Sequence, residues 1–375
     1  MSKSLGIGMI GTGMISHVHV RAAKLAGAKI VGVLGSTAAK SEEYATLWQA
    51  TAYTTIEDLL SNPEIDVVHV CTPNATHFSF AKLALEAGKH VVCEKPLATS
   101  LAQAQELAAL AKAKQLVATI PFVYRYHPMV REARAKIQNG ELGKLNLIHG
   151  SYLQDWLLNQ QDTNWRVDNK QGGPSRVFAD IGSHWCDLIE WVTGERFVSL
   201  VSSFSTVFNQ RPVATRATFQ AAAEGEETYT DVGTEDIASA LLTTSRGTTA
   251  TLTTSQVSPG RKNRLWFEID GAKQSVMFDQ EEPEKLWVGS RESMQLLVRD
   301  PSIGSSEQKR LSMLPSGHAQ GYSYCFEAFV ADTYATVKGE TPDGLPTFED
   351  GVRSAKLIDG MLQSSKTKQW VSIDP

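Results

Sequence analysis

Cysteine is scarce in this chain of 375 residues: Cys71, Cys93, Cys186 and Cys325 stand far apart and form no CxxC pair. They give no disulfide framework, and two of them close apolar runs, as buried reduced thiols of a cytoplasmic protein do. A basic block is also missing. Lysine and arginine number 36 against 41 acidic residues, a net charge of -5, which argues against a nucleic-acid partner because nothing stands out to neutralise phosphates. No apolar stretch is long enough to span a bilayer, so no membrane partner is expected. The opening MSKSLGIGMIGTG has a lysine and an apolar run, but glycines break the run and no cleavage site follows, so it does not read as a signal peptide. Without such a signal the sequon Asn74-Ala75-Thr76 carries no weight. The histidines and acids show no metal-ligand spacing, so no metal is expected.

What is present is the composition of an ordinary globular protein, 42% hydrophobic and 21% charged, in a chain long enough for two cores. From Leu5 to about Thr119, short apolar runs (Leu5 to Ile10, Ile30 to Leu34, Val67 to Cys71, Val91 to Cys93, Leu116 to Ile120) alternate with helical stretches such as Phe80 to Ala87 and Leu101 to Ala113. That alternation predicts an α/β domain with a doubly wound parallel sheet. After Pro121 the spacing predicts a helix from Pro128 to Asn139, a strand from Leu145 to Leu153 and a helix from about Ala179 to Val192. A meander of antiparallel strands follows from Val198 to Val298, with closing helices near Ala319 to Val337 and Phe348 to Gln363. Residues 159–175 and 301–317 read as mobile or substrate-covering segments.

Two overlapping GxGxxG matches compete. Gly6 to Gly11 lies inside the apolar run that should itself be the first strand. Gly11-Thr12-Gly13-Met14-Ile15-Ser16 fits the mechanism better: Gly11 makes the tight turn, Gly13 lets the backbone approach a pyrophosphate, and the next helix points its amino end at the negative charge. At the end of the second strand, Val33-Leu34-Gly35-Ser36-Thr37, no carboxylate awaits a ribose 2′-hydroxyl. Ser36, Thr37 and nearby Lys40 suit a 2′-phosphate, which tilts the expected cofactor from NAD towards NADP. Ser36 and Thr37 equally suit capping of the next helix.

The run Val91-Val92-Cys93-Glu94-Lys95-Pro96 ends an apolar strand in a charged pair and a proline, and Lys95 is the first residue that reads as chemical. Thr72-Pro73-Asn74-Ala75-Thr76-His77, then Ala84 to Val91, then Glu94-Lys95-Pro96 resemble the Gfo/Idh/MocA oxidoreductases. The resemblance continues in Tyr124-Arg125-Tyr126, Gly140 to Gly143, Asp180-Ile181-Gly182-Ser183-His184 and Pro346 to Gly351. It implies a dinucleotide-binding Rossmann domain over residues 1–122 and an α+β substrate domain over 123–375. The large, mostly antiparallel open sheet of the second domain would serve a homodimer or homotetramer. It further implies that Lys95 is the active-site lysine and that Asp180 and His184 are the second-domain pair, with the histidine as acid-base group.

These roles also make chemical sense. Oxidising a secondary alcohol requires a base for the hydroxyl proton, and histidine's pKa lies closest to neutrality. Asp180 and His184, four apart, share a face if they sit on one helix, and a lysine ammonium stabilises a developing alkoxide. An i, i+4 pair is also a common surface interaction, and a strand-end lysine is commonly solvated. Thr72, Pro73, Asn74, His77, Glu94 and Arg125 are expected cofactor contacts, with a domain-bridging ion pair the other reading of Arg125.

Tyr152, Trp156, Trp165 and Arg166, with His318 further on, combine flat rings and polar edges in the way a pyranose or cyclitol site requires. The expected activity is NAD(P)-dependent transfer of a hydride between the nicotinamide and a secondary hydroxyl of a sugar, inositol or related polyol. Keto-sugar reduction, an internally recycled cofactor, and a dinucleotide-binding regulator are the alternatives.

Overall fold

The computed structural model describes residues 4–213 and 228–375; the part of the expected strand meander at 214–227 lies outside them. The chain divides into two units. The first takes the chain up to Phe122 together with Lys170–Gly173 and Ser323–Ala355, and the second takes Val123–Asn169, Pro174–Tyr322 and Lys356–Pro375.

In the first unit, strands β1 (Gly6–Ile10), β2 (Lys29–Leu34), β3 (Thr51–Tyr53), β4 (Val67–Val70), β5 (His90–Cys93) and β6 (Ala118–Thr119) form one sheet in the order β3-β2-β1-β4-β5-β6. Every pairing in it is parallel. The order reverses at β1/β4, the switch point where such sheets take their ligands. Strands β1 and β4 are buried along their whole length because helices cover both faces. Thr37, Thr55 and Ser100 start three of those helices, each side chain accepting from a backbone amide three residues on. Phe348, Val352 and Ala355 join the core of this unit. Strand β3, a short edge strand with no buried residue, has no apolar signature and was not among the expected strands. The expected strand Leu116 to Ile120 shortens to β6, since the Ile120 amide donates to the Pro346 carbonyl and Thr119 bridges to Thr347.

The second unit is built on β7 (Leu145–Leu153), β8 (Phe197–Ser205), β11 (Ile237–Thr244), β12 (Thr249–Ser255), β13 (Arg264–Gly271), β14 (Gln274–Asp279), β15 (Lys285–Ser290), β16 (Met294–Val298) and β17 (Val371–Ser372), while β9 (Gln210–Pro212) and β10 (Tyr229–Asp231) form a separate ribbon. The nine-stranded order is β16-β15-β14-β13-β7-β12-β11-β8-β17, antiparallel except where β7 runs parallel to β12. Ile148, Tyr152, Leu252, Leu265, Phe267 and Phe278 form its inner face and pack with Trp185 and Ile189 of the helix Ser183–Thr193. Gly150 makes that packing possible: a Cβ there would stand 2.3 Å from Trp185 Nε1, whose indole N–H donates to the Trp266 carbonyl at 3.0 Å.

Residues 159–175, expected as a mobile or covering segment, are pinned at their start. Arg211, fully buried, donates to the carbonyls of Leu157 (2.9 Å), Asn159 (2.7 Å) and Asp162 (2.8 Å) and to Asp236 (3.0 Å), which also receives Arg176. Likewise Arg299 holds the carbonyls of Leu314, Pro315 and His318. Among the described residues, no helix is long and apolar enough to cross a membrane.

Candidate active site

Two sets of polar side chains stand out, one in each unit. In the first, Gly11 ends β1 with φ +103°, and a Cβ there would meet the Cys71 carbonyl oxygen at 2.4 Å. Only glycine fits such a turn. Gly13 is the N-cap of the helix Met14–Leu25, extended, without any side-chain cap, and with nothing within 4 Å of where a Cβ would stand. Thr12, Met14 and Ile15 line this open helix end, and Met14 is 57% exposed. Uncapped amides at an accessible helix start beside a tight glycine turn are the cradle a pyrophosphate needs, so these residues fit a dinucleotide. Ser16, where a third glycine would stand, is buried.

At the end of β2, the Thr37 hydroxyl accepts from the Lys40 amide at 3.2 Å, so it serves as a cap, while the Ser36 and Lys40 side chains are exposed. After β4, Thr76 donates to Thr72 (2.7 Å) and the Asn74 amide donates to the Gly172 carbonyl (2.9 Å), which fixes the Thr72-Pro73-Asn74 turn. His77 is buried and faces two carbonyls, Nδ1 to Pro96 at 2.7 Å and Nε2 to Thr72 at 2.8 Å; burial nonetheless holds its pKa down. Lys95 is half-buried at the end of β5, and its backbone amide donates to the Glu94 carboxylate at 3.2 Å.

In the second unit, His184 sits near the start of the helix Ser183–Thr193, its ring edge-on to Tyr124 (centroids 5.1 Å apart) and tilted to Tyr152 (6.3 Å). The two tyrosine hydroxyls bond to each other. Tyr152 also donates to Asn263 at 2.7 Å, and Asn263 accepts from Gln154 at 2.9 Å, whose side-chain oxygen receives the Trp156 indole at 2.8 Å. Burial, reinforced by Tyr124, raises the Tyr152 phenol well above its ordinary pKa, so it stays a neutral donor.

Asp180 lies in a π-helical turn, Phe178–Gly182, immediately before that helix. Such turns recur at functional sites. Asp180 and His184 are therefore on consecutive but differently wound segments rather than on one regular helix. The carboxylate of Asp180 receives Arg166 Nε at 3.3 Å and Gln256 Nε2 at 2.9 Å, and the Arg166 guanidinium stacks over Trp165 at 4.3 Å.

The fold thus gathers Tyr152, Trp156, Asp180, His184, Trp165 and Arg166 into two adjoining contact networks. It adds Tyr124, Asn263 and Gln256, to which sequence reasoning gave no role. Tyr124 had a signal in its motif, but Asn263 and Gln256 come from the strand-rich region, where nothing in the spacing marks them. Two expected contacts are placed otherwise. Arg125 is buried in an ion pair with Asp187, and His318 is exposed with its ring facing the Ser316 carbonyl. Adjacent strands β7 and β13 also bring His149, Glu268 and Asp270 together, their ligand-type atoms within 4.8 Å, a grouping invisible to linear spacing.

Comparison with known proteins agrees with this architecture. Residues 5–122 match the model of an oxidoreductase family with an NAD-binding Rossmann fold, and residues 130–277 match the GFO/IDH/MocA C-terminal domain. The levoglucosan dehydrogenase of Pseudarthrobacter phenanthrenivorans is 28% identical over 325 residues, 84% of this chain and 82% of the relative. An oxidoreductase domain protein from Kribbella flavida has a crystal structure that superposes with a TM-score of 0.89 at 29% identity, covering 99% of this chain and 100% of that one. A levoglucosan dehydrogenase in complex with NADH and L-sorbose superposes equally well, TM-score 0.89, at 24% identity and 99% coverage of both chains, which speaks for the fold. With a parallel sheet built for a dinucleotide, a mostly antiparallel sheet after it, and family matches across both, this chain belongs to the Gfo/Idh/MocA family of oxidoreductases, with an NAD-binding Rossmann domain.

Proposed function

We propose that the chain is a dehydrogenase acting on a secondary hydroxyl of a sugar, cyclitol or related polyol. The observation that carries this reading is the second unit's network of hydroxyl, amide, indole and imidazole groups around His184. Sugars present apolar faces and hydroxyl edges, which rings flanked by amides and phenols match. The name of the P. phenanthrenivorans relative, a dehydrogenase of an anhydrosugar, supports the same class.

When bound, the nicotinamide dinucleotide supplies the hydride acceptor. The chain's own residues do the rest. An imidazole nitrogen of His184 takes the hydroxyl proton as the carbon gives up hydride, and returns it in the reverse direction. Lys95 stabilises the developing alkoxide, and Asp180, held by Arg166 and Gln256, supports the site electrostatically. Gly11, Gly13 and the first amides of the helix Met14–Leu25 hold the pyrophosphate.

NADP is the preferred dinucleotide in this reading, because no carboxylate stands at the end of β2 and the Ser36 and Lys40 side chains are free to reach solvent. Lys40→Ala should raise KM for NADP several-fold and leave that for NAD unchanged; a wild-type preference for NAD contradicts the assignment. A cytoplasmic location fits the four buried free thiols. Assembly through the open sheet fits the exposed apolar side chains Leu241, Met294, Leu296 and Val298 that it carries. The function itself is tested by steady-state rates over a panel of aldoses, anhydrosugars and inositols with both cofactors. His184→Ala and Lys95→Ala should each lower kcat by about 10²–10⁴-fold. Unchanged turnover removes that residue from the mechanism.

A further inference from the structure

Behind Lys95 the first unit buries a line of four polar side chains that the dinucleotide cradle does not use. Tyr334 Oη lies 2.9 Å from His69 Nε2, His69 Nδ1 lies 2.8 Å from His19 Nδ1, and His19 Nε2 lies 3.1 Å from Glu94 Oε1. Glu94 Oε2 then accepts the backbone N–H of Lys95 at 3.2 Å. His19 and His69 are fully buried, and Tyr334 and Glu94 nearly so. The four come from different elements: the helix Met14–Leu25, strand β4, the end of β5 and the helix Tyr322–Val337. Core packing alone has no need of such an arrangement, since each buried polar group must be paired or it destabilises the fold.

The donors and acceptors in this line admit one consistent direction. The Tyr334 hydroxyl has no other hydrogen-bond acceptor among the described residues, so it donates to His69 Nε2. His69, whose pKa burial holds well below the ordinary histidine value, is neutral, so its one N–H is at Nδ1 and points to His19 Nδ1. His19 Nδ1 accepts, which leaves its N–H at Nε2, pointing to the Glu94 carboxylate. Burial raises the Glu94 carboxyl, but the hydrogen bond from His19 and the neighbouring Lys95 charge outweigh it and hold the pKa below the ordinary value. The remaining titratable groups facing the line are the thiols of Cys71 and Cys93, both pushed well up by burial and by Glu94, and hence neutral.

We propose that Tyr334, His69 and His19 form a one-way hydrogen-bond relay that holds Glu94 as a carboxylate against the Lys95 backbone, making them positioning residues for Lys95. The role given to Lys95 rests on the dehydrogenase reading; the relay itself does not. His77 clamps the same turn from its other side through the Pro96 carbonyl. Losing the His19 donor leaves burial to raise Glu94, so the carboxylate neutralises at higher pH, and an activity that needs it fails sooner as pH falls.

The test pairs a spectroscopic readout with a pH profile. Nitrogen-15 histidine NMR of the full chain at neutral pH should show His69 as the Nδ1–H tautomer and His19 as the Nε2–H tautomer. Tyr334→Phe, which removes one oxygen, should abolish the single His69 tautomer without unfolding. His19→Phe keeps a ring beside Phe326 and should move the acid limb of kcat/KM upward by about one pH unit, a tenfold loss on that limb. His19→Gln, which retains an amide donor for Glu94, should restore most of it. Should a variant fail to fold, the wild-type tautomers still decide: a doubly protonated His19, or His69 as the Nε2–H tautomer, overturns the relay. An acid limb identical in His19→Phe and wild type overturns the positioning role. The stated tautomers in a wild-type protein that oxidises no polyol support the relay and sink the dehydrogenase reading instead.

Discussion

His127 is buried beside Tyr124, its ring stacked on that tyrosine at 5.9 Å, and burial pushes its pKa from 6.5 down to about 3. Between those values the unfolded chain binds a proton that the folded chain refuses. Stability contributed by this group is therefore complete above pH 6.5 and is lost as pH falls towards 3, at about 1.4 kcal/mol per unit. His127→Phe keeps the stack and removes the titration. Its urea midpoint should fall less steeply than that of wild type between about pH 6 and pH 4; an unchanged slope contradicts the assignment. The two glycines of the cradle separate folding from binding at the same scale. Gly11→Ala forces a side chain into a left-handed turn and against the Cys71 carbonyl, so the melting temperature should drop, with strain of about 1–3 kcal/mol from the turn alone. Gly13→Ala meets open space, so it should leave melting unchanged and weaken dinucleotide binding in a fluorescence titration. Equal effects of the two substitutions contradict these roles.

Among elements, the segment joining β7 to the π-helical turn shows how buried charge organises a loop. Arg176, Arg211 and Asp236 are all buried, and burial pushes Asp236 up before the two guanidiniums and backbone amides bring it below the ordinary range. Asp236→Ala strands two cations in the core and should destabilise the second unit by about 3–5 kcal/mol in chemical unfolding. A loss below 1 kcal/mol, on the order of an exposed pair, contradicts this view. None of this network was legible in the sequence, because hydropathy reports what strands bury and not what an arginine reaches. The Rossmann strands were legible for the opposite reason: Val67 to Val70 and Val91 to Cys93 are buried on both faces and read as apolar runs, broken only by His69. Strand β3 sits at an edge and gave no such run. The helix carrying His184 was also legible, but the π turn at Asp180 was not, since one residue of extra winding leaves no mark on periodicity over so short a stretch.

For the whole molecule, the alternation of the nine-stranded sheet leaves several apolar side chains exposed among the described residues. Leu241 on β11 is 47% exposed, and Met294, Leu296 and Val298 alternate along β16 at 66%, 52% and 47%. Single exposed apolar residues are ordinary, but a row at period two on an open sheet marks an interaction surface. In sedimentation the wild type should run as a dimer or tetramer and the double variant Leu241→Lys/Leu296→Lys as a smaller species; a monomeric wild type contradicts the assembly. How much of the candidate site was legible followed the same division as the fold. Lys95, Asp180 and His184 stood in motifs, whereas Asn263 and Gln256 became visible only once β12 and β13 brought them beside Tyr152 and Asp180.

The most direct test of the central claim is the initial rate of nicotinamide reduction by the wild-type protein across the sugar and cyclitol panel, compared with His184→Ala. The account predicts polyol-dependent reduction, faster with NADP, that falls by at least about a hundredfold in the variant while dinucleotide binding is kept. No reduction with any polyol, or an unimpaired variant, contradicts it.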